Sequence, residues 1–550
     1  MTNPYGPMTG RPAARAERGM VSAPHALASG TGVAVLRRGG SAVDAAIAAN
    51  ATLCVVYPHM AGLGGDAFAL IRPPGGPVEA LNASGPAASG ATRGFYERAG
   101  HTDEIPSRGP LSALTVPGAV DGWRLAHERH GRLPWSDLFD DAIELARSGF
   151  AVSRSLAQWY PQDAPMLRDD PGASALFLPG DRVPREGDRL VNADLAESFE
   201  AVAHRGAREG FYEGELAERL CAGVPESPLT PEDFAAYAAE WVQPIESTYR
   251  GMRVVELPPN TQGFTALQVL NMIEAYDVSA WGDTSPDHIH HLAEAVKLSF
   301  ADRDAWLTDA RHHDIPLDRL IDKSYAEERR RLIDASSAMP MGEISSGVPG
   351  GWTGERPTPA GDTIYLCAVD GDGLVVSLIE SIYHDFGSGV VPQGTGIILQ
   401  NRGSFFSLDP EHHNRLEPDK RTFHTLMPGL VLHEDGEPYA AIGTMGGEGQ
   451  PQTQTAMLTR LVDFGYDVQQ SIEAPRWLMG RTWGAESQDL WLEGRIPDPV
   501  IRELERRGQP VRMLTDWNDN VGHAQAIRIH PDGFLEGGAD PRGDGAALGY

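Results

Sequence analysis

Lysine is nearly missing from this chain: of 46 basic residues only Lys297, Lys323 and Lys420 are not arginine. That bias reads as genome composition and carries no functional weight. Cysteine is as scarce. Cys54, Cys221 and Cys367 are odd in number and widely spaced, which excludes a disulfide framework and offers no metal-ligand spacing. No apolar run is long enough to span a bilayer, and the first twenty residues lack the apolar core of a signal peptide, so a cytoplasmic protein without a membrane partner is expected. Positive charge as a whole is in deficit: 76 acidic residues leave a formal net charge of −30, a field that repels phosphate backbones and excludes nucleic acid as a partner. What remains is 550 residues, 41% hydrophobic and 22% charged, the composition of a soluble globular protein with a large core. It is compatible with one oversized domain or with two or three ordinary ones.

The first part of the chain reads as helix-rich. Ala26 to Leu36 suits a helix stopped by Gly39-Gly40, and Ser41-Ala42-Val43-Asp44 reads as a capping box opening a buried, Ala-rich helix to about Val56. A glycine turn, Gly62-Leu63-Gly64-Gly65-Asp66, leads into a strand at Ala67–Ile71. The stretch from Trp123 to Val242 is mostly helical, with loops expected near Pro161–Pro171 and Pro184–Asp188. Thr248–Leu257 alternates as one strand, and helices are expected at Phe264–Tyr276 and His288–Asp302.

Residues 344–362 are rich in Pro and Gly and read as a mobile linker. Thr363 then opens a strand, Thr363–Val369, and a turn at Asp370–Gly373 marks a hairpin. Further strands fit Gly396–Leu399, Gly429–Leu432, Tyr439–Gly443 and Gln525–Ile529, with a helix at Thr453–Phe464. Helices followed by strands suggest a layered α/β sandwich rather than βαβ repeats. If the bond between Asp362 and Thr363 is cut, Thr363 gains a free α-amine beside its own hydroxyl, a known way to activate a Thr nucleophile. On the residues alone, a strand Thr chosen for β-propensity is the plainer reading.

Several blocks, in order and nearly end to end, resemble the γ-glutamyltranspeptidase family. They are Gly19–His25 with Gly39–Ala46, Gly62–Asp66, Val116-Pro117-Gly118, Tyr249-Arg250-Gly251, Glu294-Ala295 with Asp302-Arg303, Gly361-Asp362-Thr363, Gly446-Gly447, and Ala539-Asp540-Pro541-Arg542 with the closing Gly549-Tyr550. The resemblance implies a four-layer αββα fold of the N-terminal-nucleophile hydrolase type. It also implies a precursor that cuts itself into a large subunit, residues 1–362, and a small one, 363–550, which stay entwined as one domain.

The same resemblance assigns roles. Thr363 becomes the nucleophile in self-cleavage, at the carbonyl of Asp362, and then in catalysis. Its freed α-amine, with a pKa of roughly 7.7–8.0, suits a base near neutrality. Gly446 and Gly447 become the oxyanion hole, where adjacent N–H groups can point at one oxygen. Ser381 takes the place of a second Thr that orients the nucleophile. The substrate-binding positions depart from the family pattern. The family grips the α-carboxylate of a γ-glutamyl group with an Arg, here Asn82, and with a Ser-Ser pair, here His424-Thr425. It holds the α-ammonium with polar and acidic side chains, here Tyr383, Arg402 and Phe405.

In that set an ammonium has no anionic partner and Arg402 repels it. A small anionic substrate fits better, with Arg402 taking its carboxylate bidentately and Tyr383 and His424 donating hydrogen bonds. The altered set, with Ser381–Gly389, Gln400-Asn401-Arg402-Gly403 and Gly446–Gln452, resembles the subgroup that includes oxamate amidohydrolase. The expected activity is therefore a self-processing amidohydrolase acting on a small anionic amide through a Thr acyl-enzyme. The alternatives are γ-glutamyl transfer or glutathione hydrolysis, a cephalosporin acylase-like amidase, or a non-catalytic relative. His384 and Asp385, as neighbours in a strand, point to opposite faces and stay out of direct substrate contact. His412-His413 reads as a solvated loop pair without metal-ligand spacing, and nothing in the sequence calls for a metal or an organic cofactor.

Overall fold

The computed structural model describes residues 10–354, 361–481 and 487–550. Fourteen strands make two seven-stranded sheets: β1 (Ala14–Ala16), β2 (Met20–Ala23), β3 (Asp66–Arg72), β4 (Glu79–Ala83), β5 (Glu240–Val242), β6 (Ile245–Tyr249), β7 (Met252–Glu256), β8 (Asp362–Val369), β9 (Val375–Tyr383), β10 (Gly429–Leu432), β11 (Pro438–Thr444), β12 (Ala524–Ile529), β13 (Leu535–Ala539) and β14 (Ala546–Gly549). One sheet runs β1-β13-β12-β11-β10-β7-β6, the other β14-β2-β8-β9-β3-β4-β5. Neighbours within both sheets pair antiparallel.

Side-chain alternation along the strands builds the layers. On β8, Tyr365, Cys367 and Val369 face inward and pack with Leu430, Ala441 and Ile527 of the other sheet. Ile364, Leu366 and Ala368 face the opposite way, onto α1 (Ala26–Arg37) and α2 (Ala42–Val56). On the far side, Val254, Val431 and Ile442 bury against Leu267 and Leu270 of α3 (Gly263–Ile273) and Met457 and Leu461 of α5 (Gln450–Val462). The result is the expected αββα sandwich. α2 opens with the expected capping box: Ser41 Oγ accepts from Asp44 N–H and Asp44 accepts from Ser41 N–H. It is buried along its whole length, as its Ala-rich sequence allows. α4 (Pro286–Trp306) is the other long buried helix.

Strands from both sides of position 363 share each sheet, β8 lying between β2 and β9 and β7 beside β10. Before the junction, Gly347 N–H donates to Asp302 Oδ1 and Trp352 N–H to Ala305 O, so residues 344–354 are tied to α4. The rest of the expected mobile linker, 355–360, lies outside the described residues.

Four local expectations are corrected. Thr248–Leu257 is a hairpin, not one strand: Arg250 (φ 52°) and Gly251 (φ 79°) make the tight turn between β6 and β7. A helix, Arg154–Asp169, continues through Pro161 and Pro165 where a loop was expected; Leu156, Trp159, Tyr160, Ala164 and Leu167 are buried along it and hold it in place. Gly396–Leu399 joins neither sheet, because Leu399 spends its backbone bonds on Ser388 and Val390. His412 and His413 are buried, not solvated. Their rings stack at 4.5 Å, and His413 Nε2 lies 3.1 Å from Leu307 O.

Candidate active site

Thr363 is fully buried at the head of β8. The β8–β9 register pairs Asp362 with Tyr383 and Ile364 with Glu380, so Thr363 alone opposes both Ser381 and Ile382 at a β-bulge. Alternation places Thr363 on the same face as Tyr365, between the sheets. Tyr365 packs where Gly443 of β11 has no side chain: a Cβ there would lie 2.4 Å from the ring. That contact fixes β11 against β8 and brings the Met445–Gly447 loop to the Thr363 end.

Gly446 and Gly447 sit at φ +123° and +53°, conformations that favour glycine. Among the described residues neither N–H has a hydrogen-bond acceptor. Gly447 touches the junction, since a Cβ on it would lie 3.4 Å from Gly361 O. Gln262 Nε2 donates to Gly447 O (3.0 Å) and Thr425 O (2.7 Å). Gln262 Oε1 accepts from Arg303 Nη1 (3.0 Å), and Arg303 Nη2 reaches Glu448 Oε1 (2.9 Å). The glycine loop thus hangs on a buried polar network just before the N-terminus of α5, whose dipole favours negative charge.

Arg402 is 1% exposed. Its guanidinium stacks over Tyr383 (4.2 Å to the ring centre) and lies 5.3 Å from the ring of Phe405. Among the described residues its one side-chain hydrogen bond goes to Thr425 Oγ1 at 3.4 Å, and Nε and Nη2 have no acceptor. Burial lowers its pKa to about 10, so it remains a cation at neutral pH. The Tyr383 ring below it lies against Gly361, so the free face of the guanidinium belongs to the same site as the junction.

His424 is also buried, with Nε2 3.3 Å from Asp66 Oδ2 and Nδ1 without a partner among the described residues. Burial, and then the charge of Arg402, hold its pKa well below the ordinary value, so it is neutral. Asp66 pairs in register with Ser381. Its Oδ1 accepts from Gly85 N–H, Gly118 N–H and Gln400 Nε2, each at 3.0 Å. Burial nevertheless pushes its carboxyl up to about 7.

Asn82, His384 and Asp385 are placed differently from expectation. Asn82 spends its Oδ1 on Ser84 and donates to Asn260 Oδ1 (3.0 Å), and Asn260 O accepts from His424 N–H. It braces the His424 loop. His384 and Asp385 are not in a strand: β9 ends at Tyr383, whose φ of +83° turns the chain, and Arg108 Nη1 donates to the carbonyls of Asp385 and Gly387. Ser381 Oγ accepts from Tyr383 N–H at 2.7 Å and so secures the turn that carries the Tyr383 ring. A separate cleft of about 1080 Å³, lined by Arg72, Arg250, Asp372, His433 and His530, lies at the hairpin ends of the sheets, the opposite end of β8 from Thr363.

The γ-glutamyltranspeptidase family model matches residues 28–550. The chain belongs to the γ-glutamyltranspeptidase family. It is 45% identical over 537 residues to the glutathione hydrolase-like YwrD proenzyme of Bacillus subtilis, covering 96% of this chain and 98% of that one. It is 43% identical over 539 residues to the oxamate amidohydrolase proenzyme of Klebsiella pneumoniae, covering 97% and 98%. The structure superposes on a cephalosporin acylase from Bacillus halodurans with a TM-score of 0.91 at 35% identity, over 100% of this chain and 99% of that one. As a member of this family the chain is a hydrolase or acyltransferase acting on amide bonds. Among the described residues no helix is long and apolar enough to cross a membrane. The residues that the sequence did not single out are Asp66, Gln262, Arg303 and Glu448; Asp66 and Arg303 lie in family-like blocks, but no local pattern marks them as partners.

Proposed function

We propose that this member of the family is a self-processing amidohydrolase for a small anionic amide, with Thr363 as nucleophile. The Thr363 hydroxyl attacks the carbonyl of Asp362, and water opens the resulting ester. This leaves residues 1–362 and 363–550 as subunits of one entwined domain. In the processed enzyme the α-amine of Thr363 accepts the hydroxyl proton as Oγ attacks the substrate amide. The amine then passes that proton to the departing ammonia or amine, and water releases the acid. The N–H groups of Gly446 and Gly447 receive the developing oxyanion, and the dipole of α5 supports them.

The observation that carries the substrate class is Arg402, a buried cation with two nitrogens that have no acceptor among the described residues. A carboxylate would satisfy both, and Thr425 completes the cradle. The similarity to an oxamate amidohydrolase supports the same reading, since oxamate is an amide beside a carboxylate. The competing reading, hydrolysis or transfer of a γ-glutamyl group, has one observation in its favour. Asp66 puts a carboxylate beside His424 and Arg402, although the sequence suggested that the ammonium site had none.

Ammonia release from oxamate, measured beside turnover of a γ-glutamyl anilide, decides between them. Faster anilide turnover overturns the anionic-amide reading. On a denaturing gel the wild type should give two fragments, the smaller beginning Thr-Ile-Tyr-Leu, and Thr363→Ala should stay whole. An uncut, fully active wild type defeats the mechanism.

A further inference from the structure

Asp66 and His424 form a buried pair whose free end is a ring nitrogen. Asp66 Oδ1 already accepts three N–H bonds, so a proton on this carboxyl belongs on Oδ2, the oxygen 3.3 Å from His424 Nε2. The imidazole stays neutral, and only one of its nitrogens carries hydrogen. We propose that Asp66 is a positioning residue for the anionic substrate: whether it holds a proton decides which nitrogen of His424 carries hydrogen, and so whether His424 supports or opposes an anion on Arg402. The inference rests on the reading of Arg402 as the anion anchor.

With Asp66 ionised, His424 Nε2–H donates to Oδ2, and Nδ1 presents a lone pair. With Asp66 protonated, Oδ2–H donates to Nε2, and the ring hydrogen sits on Nδ1. A nitrogen that is buried without a partner then becomes a donor for a carboxylate. The same proton removes the negative charge that competes with the substrate for Arg402. Anion binding and protonation of Asp66 therefore reinforce each other, and by linkage each strengthens the other equally.

The groups facing Asp66 come from every element around it. Gly85 N–H, Gly118 N–H and Gln400 on adjoining loops, together with Arg402, favour the ionised form. Glu380 on β9, whose own carboxyl burial pushes up to about 8, and the buried phenol of Tyr237 add like charge if they ionise. Burial dominates the balance and brings Asp66 to about 7. Loss of its proton thus falls within the working range, and the KM for an anionic amide should be flat below that point and rise by about tenfold per pH unit above it. kcat follows a different group, the Thr363 α-amine, and rises over roughly the same interval as that amine loses its proton.

The test is the pH dependence of KM and kcat for oxamate between pH 6 and 9, with processed wild type and Asp66→Asn. An asparagine keeps Oδ1 for the three N–H donors and offers Nδ2–H to His424 Nε2, which locks the hydrogen on Nδ1. The ratio of KM at pH 8.5 to KM at pH 6 should fall from tenfold or more in the wild type to near one in the variant. A flat wild-type KM, or a variant with the wild-type slope, overturns the inference. Calorimetry needs no variant: oxalate binding to the wild type at pH 7.5, in two buffers of different ionisation enthalpy, should show uptake of a fraction of a proton. Zero uptake overturns the inference even if Asp66→Asn does not fold. Failure of the anchor reading looks different. A wild type that turns over neutral oxamide as readily as oxamate at pH 6 overturns both readings, whereas a preserved preference for oxamate with a flat KM overturns this one alone.

Discussion

Replacing Arg402 by methionine separates a binding cation from a structural one. Other buried arginines here are held by carboxylates: Arg542, for instance, has Glu493 at 2.7 Å and Asp540 at 3.0 Å. Arg402 has two aromatic faces and one long bond to a hydroxyl. A buried charge without hydrogen-bonded compensation costs folding free energy, and an apolar residue of similar length in its place is neutral or stabilising by about 1–4 kcal/mol. Binding runs the other way. Removing one partner of a buried, hydrogen-bonded charge pair costs about 2–5 kcal/mol. At about 1.4 kcal/mol per factor of ten, that lowers kcat/KM for an anionic amide by about 30-fold at the least.

The assay is initial-rate ammonia release from oxamate at pH 6.5, with a thermal melt of the same preparation after processing has been verified on a gel. The expected pair of results is a large loss of kcat/KM with an unchanged or raised melting temperature. A kcat/KM within threefold of wild type refutes the anchor. So does a melting temperature several degrees lower, since that outcome makes Arg402 part of the scaffold.

Gly447→Ala places a side chain at a backbone φ of +53°, a conformation that favours glycine, and should shift the loop that aims the N–H pair. A misaimed donor lowers kcat by up to about 10²–10³, and a kcat within fivefold of wild type refutes the claim that the aim of this loop needs glycine at 447. Gln262→Leu strands the carbonyls of Thr425 and Gly447, which should lower stability by about 1–3 kcal/mol in a denaturant titration; no change means that the bridge is idle. Asp66 and Glu380 titrate at about 7 and about 8 when folded, above their unfolded values. Their contribution to stability is therefore complete below about pH 4 and is lost as pH rises from there to about 7 for Asp66 and about 8 for Glu380, by up to about 1.4 kcal/mol per pH unit for each group. The melting temperature should fall from about pH 5 to 8 and level off above that, and a flat or rising profile between about pH 5 and 8 contradicts the burial argument.

What could be read from the sequence was whatever one short segment decides alone. The alternation of Thr363–Val369, the Asp370–Gly373 turn and the Ser41–Asp44 capping box each depend on a few adjacent residues, and each stands as expected. The β6–β7 hairpin was misread because its turn starts with Arg250 in the left-handed region, which a branched or long side chain seldom enters. The polar site depends on pairings that no window contains. Asp66 and His424 are separated by 358 residues, and Gln262 and Gly447 by 185. The departures at Tyr383, Arg402 and Phe405 stand out against the family-like blocks, but the Asp66 carboxylate beside His424 does not, because it comes from another strand. The resemblance places an acidic side chain of the family at position 405, where Phe405 lies against the guanidinium. Here the acid sits behind His424, on a carboxyl buried enough to hold a proton near neutrality. A carboxyl in that place is about half protonated at pH 7 and is a weaker counter-charge for an ammonium than a fully ionised one. Under the proposed anionic-amide reading it would tune the anion site by giving up or accepting one proton, and the changes at positions 383, 402, 405 and 424 would act together as one change of ligand charge.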